Sequence, residues 1–208
     1  MKKKIALLLA CVMAFGIAVG GTLAWLTDDT APVVNTFTDS DINITLTETD
    51  TDSTKEGEQH DYQMIPGHTI TKDPIVTVRA GSEACYLFVQ VTENLGSWSD
   101  NKVGENDPKF TDYLSYTLDG WTALEGVSGV YYKELTAKTT ADTPYNVIKD
   151  KKMTVSGNVT KAMMDEIDGE GETKPTLTFK AYASQLYKNE KNEKFTAAEA
   201  WNNVKPAT

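Results

Sequence analysis

The side chains of this chain best suited to holding a catalytic metal are its two histidines, His60 and His68. A zinc peptidase ordinarily sets two imidazoles on one helix face with a glutamate between them, so that both rings reach the ion and the carboxylate reaches its water. Here the pair is eight positions apart: His60 lies in an acidic stretch and His68 directly follows Ile65-Pro-Gly67, so neither belongs to a helical pattern. Asp61 or Glu58 are the carboxylates that would complete a zinc site beside His60. Surface histidines without a metal are far commoner than such sites. Nucleophilic chemistry has no better footing. The sequence contains no Gly-x-Ser-x-Gly elbow, and Cys85 falls inside the apolar run Ala84-Cys-Tyr-Leu-Phe-Val89, where a thiol behaves as a small hydrophobe. The acidic segments 48–61 and 168–175 carry oxygen ligands without the alternating Asp/Asn pattern of a calcium loop. No catalytic, metal-binding or cofactor-binding residue is therefore assigned, and no cofactor is expected.

The elements that would position any chemistry begin only after an export segment. Lys2, Lys3 and Lys4 form a basic start, and the run from Ile5 to Gly21 contains no charge, which is the pattern of a secretory signal. A retained anchor competes with this reading, because the apolar run is long enough to span a bilayer. Gly16, Gly20, Gly21 and Thr22 loosen the helix ahead of small residues, and cleavage is expected after Ala24, leaving Trp25 as the first mature residue. Cys11 after Leu8-Leu-Ala has too short an apolar stretch before it for a lipid-attachment site and reads as part of the signal. Signal peptidase is thus the expected partner during export, with no stable membrane insertion afterwards and a final location outside the cell.

Without residues 1–24 the chain keeps 17 basic against 30 acidic side chains, a net charge of −13. Such a balance argues against nucleic acid or an anionic membrane as a partner. The remaining length is ample for one domain with a real core, without disulfide staples. Cys85 is then the only cysteine and has no intramolecular partner; a buried thiol is the expectation and an intermolecular bridge the alternative.

Residues 25–37 read as an N-terminal arm bearing Trp25, Leu26, Val33, Val34 and Phe37, and residues 38–208 as the folded domain. In Asp41-Ile-Asn-Ile-Thr-Leu46 the alternation places Ile42, Ile44 and Leu46 on one face of a first core strand. Glu48 to Asp61 reads as a loop and Pro66-Gly67 as a turn. Strands are predicted over Ile75–Val78 and over Cys85–Val91, the latter apolar on both faces and so central in its sheet. Further strands are predicted at Tyr113–Leu118, Gly120–Ala123, Val130–Leu135, Met153–Val155 and Thr176–Ala183, the last with Leu177, Phe179, Ala181 and Ala183 inward. Asp119-Gly120 predicts a β-hairpin between the two runs that flank it. Short helices are predicted over Thr160–Ile167 and from the capping box Thr196-Ala-Ala-Glu199 through Trp201. The expected fold is all-β, an antiparallel β-sandwich of jelly-roll type with one or two short peripheral helices.

Taken together, Gly20-Gly-Thr-Leu-Ala24, Asn35-Thr-Phe-Thr38, Ile42-Asn-Ile-Thr-Leu46, Ile65-Pro-Gly67 and the following Lys72 resemble the TasA/camelysin family of Gram-positive bacteria, exported through a SipW-type signal peptidase. In that family the signal ends in a similar Gly-Gly-Thr stretch, an Asn-x-Phe segment leads into a strand, and Pro-Gly precedes the next. The likeness covers about the first 90 residues. The glycine usual before the first strand is replaced by Asp39-Ser40-Asp41, and the C-terminal half matches no family motif. The resemblance implies a jelly-roll domain and a role as a non-enzymatic biofilm-matrix fibre subunit or surface protein. Fibres would form by self-association, the arm being donated as a strand to the next subunit. A camelysin-type cell-surface metallopeptidase is the alternative that the same resemblance carries.

Overall fold

The computed structural model describes residues 41–48, 64–101, 105–169, 173–189 and 191–206. The signal segment, the cleavage site at Ala24 and Trp25, the arm with Leu26, Val33, Val34 and Phe37, and His60 all lie outside these residues. Within them the chain is mostly β, in three antiparallel sheets. The first sheet has the order β1 (Ile44–Thr47), β3 (Ile75–Val78), β8 (Thr143–Asn146). The second has the order β2 (Thr69–Thr71), β9 (Ile148–Val155), β5 (Leu114–Leu118). The third runs β10 (Thr176–Gln185), β4 (Cys85–Asn94), β7 (Val130–Leu135), β6 (Thr122–Ala123). Three α-helices, α1 (Phe110–Tyr113), α2 (Lys161–Ile167) and α3 (Ala197–Val204), and a 3-10 turn at Gly96–Asp100 complete the described elements.

The double-faced apolar pattern of β4 organises the third sheet. Leu87, Val89 and Val91 pack with Val76, Val78 and Val147 in a layer against the first sheet, while Tyr86 and Phe88 face the other way, onto α3. There Trp201 meets Phe88 at 5.4 Å and Tyr182 at 5.2 Å between ring centroids. Burying each such large side chain contributes about 1.5–3 kcal/mol, so α3 is part of the core and not a peripheral addition. Its start is sealed as the sequence predicts: Thr196 Oγ1 accepts from the Glu199 N–H at 3.2 Å, and the Glu199 carboxylate accepts from the Thr196 N–H at 2.8 Å.

The second sheet has its own apolar cluster, centred on the fully buried Trp98, with Phe110, Tyr113, Met153, Val155, Met163 and Ile167. Trp98 Nε1 donates to the Met163 carbonyl at 2.8 Å, tying the 3-10 turn to α2. The first and second sheets exchange chains at one point. Both β2–β3, through Lys72-Asp73-Pro74, and β8–β9, through Val147, pass from one sheet to the other, with the Val147 N–H donating to the Pro74 carbonyl at 2.9 Å. Beside this point β9 bulges. Its register against β5 jumps from Ile148↔Leu118 to Met153↔Tyr116, and Asp150 and Lys151 adopt φ of 55° and 56°, which costs a non-glycine residue about 1–2 kcal/mol.

Several expectations need correction. Asp119-Gly120 is a turn, but not of a hairpin: β5 belongs to the second sheet and β6 to the third, and the chain crosses between them at this point. Gly120 supplies the positive φ of 64° that the crossing needs, and Lys133 Nζ donates to both carbonyls, of Asp119 and Gly120, at 2.8 Å. Tyr113 ends α1 instead of opening β5. β8 carries Pro144 and shows no apolar alternation; proline is tolerated there because β8 is an edge strand among the described residues. β9 extends back to Ile148 through the polar run Lys149–Lys152, which resembles a turn because it holds the bulge. Glu48 is not part of an exposed loop, as described below.

Candidate assembly edge

Among the described residues β1 is an edge of the first sheet and β10 an edge of the third, each with one hydrogen-bonded neighbour, and the two strands lie close to each other. Ile44 and Leu46 of β1 and Leu177, Phe179, Ala181 and Ala183 of β10 all point into the apolar layer yet are only half buried. One strand further in, Val76, Val78 and Leu87 are fully buried. Among the described residues the layer is therefore sealed in its middle and only partly covered along this flank. Ile42, grouped by alternation with Ile44 and Leu46, is half buried but precedes β1.

Edge strands expose unpaired N–H and C=O groups, and proteins usually blunt them by brevity, proline or charge. Most edges here follow that rule. β6 has 2 residues, β2 has 3, and β8 has 4, one of them Pro144. β10 departs from it, with 10 residues, no proline and Lys180 as its only charge. It is a long, regular template beside half-open apolar side chains.

The described chain reaches β1 at the start of this flank. The Asp41 carbonyl accepts from the Glu83 N–H at 3.2 Å, the Asn43 carbonyl accepts from the Arg79 N–H at 2.9 Å, and Ser82 Oγ accepts from the Asn43 N–H at 3.1 Å. The turn that provides these groups is itself held by Asp142, which accepts from the Ala80 N–H at 2.9 Å and from Arg79 at 2.7 Å. Those two donors, the backbone one first, keep the Asp142 carboxyl below the usual carboxylate range. At the far end of β1, Glu48 turns inward. Lys72 Nζ donates to both its carboxylate oxygens at 3.0 Å, with side-chain exposures of 7% and 11%, and the ammonium lies 5.7 Å from the centroid of the Phe179 ring. β1 is thus fastened at both ends, and its outer edge has no partner strand among the described residues.

Of the residues weighed for catalysis, His60, Glu58 and Asp61 lie outside the described residues, and His68 and Cys85 lie within them. His68 is exposed beside the turn before β2, and among the described residues no three His, Cys, Asp or Glu side chains converge to hold a metal ion. Cys85 is a free, buried thiol whose pKa burial pushes up to about 11, leaving it a poor nucleophile. A cleft of about 680 Å³ has Asp100, Asp112 and Glu166 on its walls. Two of these carboxylates have structural duties: Asp112 caps α1 through the Lys109 N–H at 2.7 Å, and Glu166 accepts from Asn101 Nδ2 at 3.1 Å. The Glu48–Lys72 pair and the open edge were not singled out from sequence. The alternation over Thr176–Ala183 was a signal for a long strand, whereas nothing local marks two charges 24 positions apart as partners. No helix among the described residues is long and apolar enough to cross a membrane. No protein-family model, curated protein or solved structure matches the chain.

Proposed function

We propose that this protein is an exported, non-enzymatic matrix or cell-surface subunit of jelly-roll type. Its arm, residues 25–37, would add as a strand to the open β1/β10 flank of another copy. The observation that carries this reading is β10, the one long unblunted edge among those described, bordered by half-buried apolar side chains. An incoming strand carrying Trp25, Leu26, Val33, Val34 and Phe37 would pair with the edge backbone for affinity and fill the half-open layer for register. The export pattern and the family resemblance of the first 90 residues support the location.

Deleting residues 25–34 from the secreted protein is expected to leave a folded, soluble monomer that forms no fibres in negative-stain micrographs. Fibres that persist overturn the proposal. If the deleted chain fails to fold, a synthetic peptide of residues 25–37 added to the intact protein decides instead: it should cap fibre growth, and unaltered growth overturns the proposal. Zinc content and casein cleavage, measured on the same sample and on His60→Ala/His68→Ala, test the metallopeptidase alternative. Metal and proteolysis present in the parent and lost together in the double variant would establish it.

A further inference from the structure

The Glu48–Lys72 pair differs in kind from the other described ion pairs. In each of the others at least one partner is 30% exposed or more, as in Lys188–Glu199, Arg79–Asp142 and Lys161–Asp165. Here both side chains are nearly sealed, at 7% and 11%, and an aromatic ring, Phe179, forms one wall. The backbone presets the approach. Thr47 pairs with Ile75 in the antiparallel register of β1 and β3, so Glu48 falls opposite Pro74 and Lys72 is its diagonal neighbour, two positions on. An amine and a carboxylate held 3.0 Å apart and shielded from water have an alternative to remaining charged. Burying two ions is costly, and a neutral amide between them would remove both charges.

We propose that Lys72 and Glu48 condense to an intramolecular isopeptide bond. The ammonium of Lys72 passes one proton to the Glu48 carboxylate, giving a neutral amine beside a neutral acid. Nζ then attacks the Glu48 carboxyl carbon; the new N–C bond forms, the C–OH bond breaks, and the hydroxyl leaves with a proton from nitrogen as water. No oxidant or co-reactant is needed, and the site's dryness opposes the reverse hydrolysis. The crosslink would tie the C-terminal end of β1 to the β2–β3 crossover, so that a pull on the chain before β1 could not be transmitted past Glu48. This inference stands apart from strand donation, since it concerns the chemistry of one chain.

Peptide mapping of the purified folded protein by mass spectrometry tests it. The expected result is a branched peptide joining the segments around Glu48 and Lys72, lighter than their sum by one water, about 18 Da, with trypsin unable to cut after Lys72. A Lys72→Arg variant keeps the charge but should recover the unlinked peptides and the full mass. Recovery of Glu48 and Lys72 in separate, unmodified peptides from the parent protein overturns the proposal, whatever the variant does. A loss of water that persists in Lys72→Arg overturns it as well, by placing the bond elsewhere.

Discussion

Along one flank of the main apolar layer, Trp121 is 9% exposed and Val147 is fully buried, whereas along the other Ile44, Leu46, Phe179 and Ala181 remain half open. The closed flank is where the chain crosses from the second sheet to the third. The crossing lays Trp121 over the layer, its Nε1 donating to the Asn146 carbonyl at 2.8 Å, and Lys133 sits 5.2 Å from the indole centroid while holding the turn carbonyls. The neighbouring edge strands are short or carry Pro144. The open flank has no crossing segment among the described residues, and its third-sheet edge is ten residues long. One flank is finished by its own chain; the other keeps, among the described residues, a long edge strand beside half-buried side chains.

The comparison can be broken most severely on the closed side. Trp121→Ala should cost about 3–5 kcal/mol of stability, because it removes a large buried side chain and leaves a cavity at the edge of the layer; urea unfolding followed by far-ultraviolet circular dichroism measures it. A loss under about 1 kcal/mol would show that the closed flank does not depend on the indole. On the open side the same size of effect is not expected. Ala181→Glu aims a charge into a half-open layer, which should cost about 1–3 kcal/mol yet abolish self-association, read by sedimentation and electron microscopy. Normal fibres from a folded Ala181→Glu protein would remove β10 as the acceptor.

The smallest expected effect concerns the clamp beneath the start of β1. Asp142 has a folded pKa below its unfolded one, through the Ala80 N–H and then Arg79. Its contribution is therefore fully present above the unfolded carboxylate pKa of about 3.9 and is lost as pH falls through the lower folded value. The stability difference between the parent and Asp142→Asn should stay level from neutral pH down to about 5 and shrink below about 4. A difference that grows on acidification would reverse the assignment.

What the sequence determined by itself was local. Alternation marked β1 and β10, because side chains two apart on a strand share a face whatever the sheet does, and short β-prone runs marked β3 and β7; a double-faced apolar run placed β4 in the centre of its sheet; and Thr196 with Glu199 announced α3, because a helix start is satisfied by residues three apart. What only the tertiary structure decided was which strands meet. Asp119-Gly120 has hairpin chemistry, yet the strands beside it join different sheets, since a turn sets the direction of the chain but not its next partner. Lys149–Lys152 has the composition of a loop and lies in a strand, because it holds the bulge between the paired residues Ile148 and Met153. Glu48 read as the start of a loop and was not linked to Lys72; the fold brings β1 against the crossover before β3 and buries the two together. Burial, pairing and open edges are properties of distant segments in contact, and no window of neighbouring residues contains them.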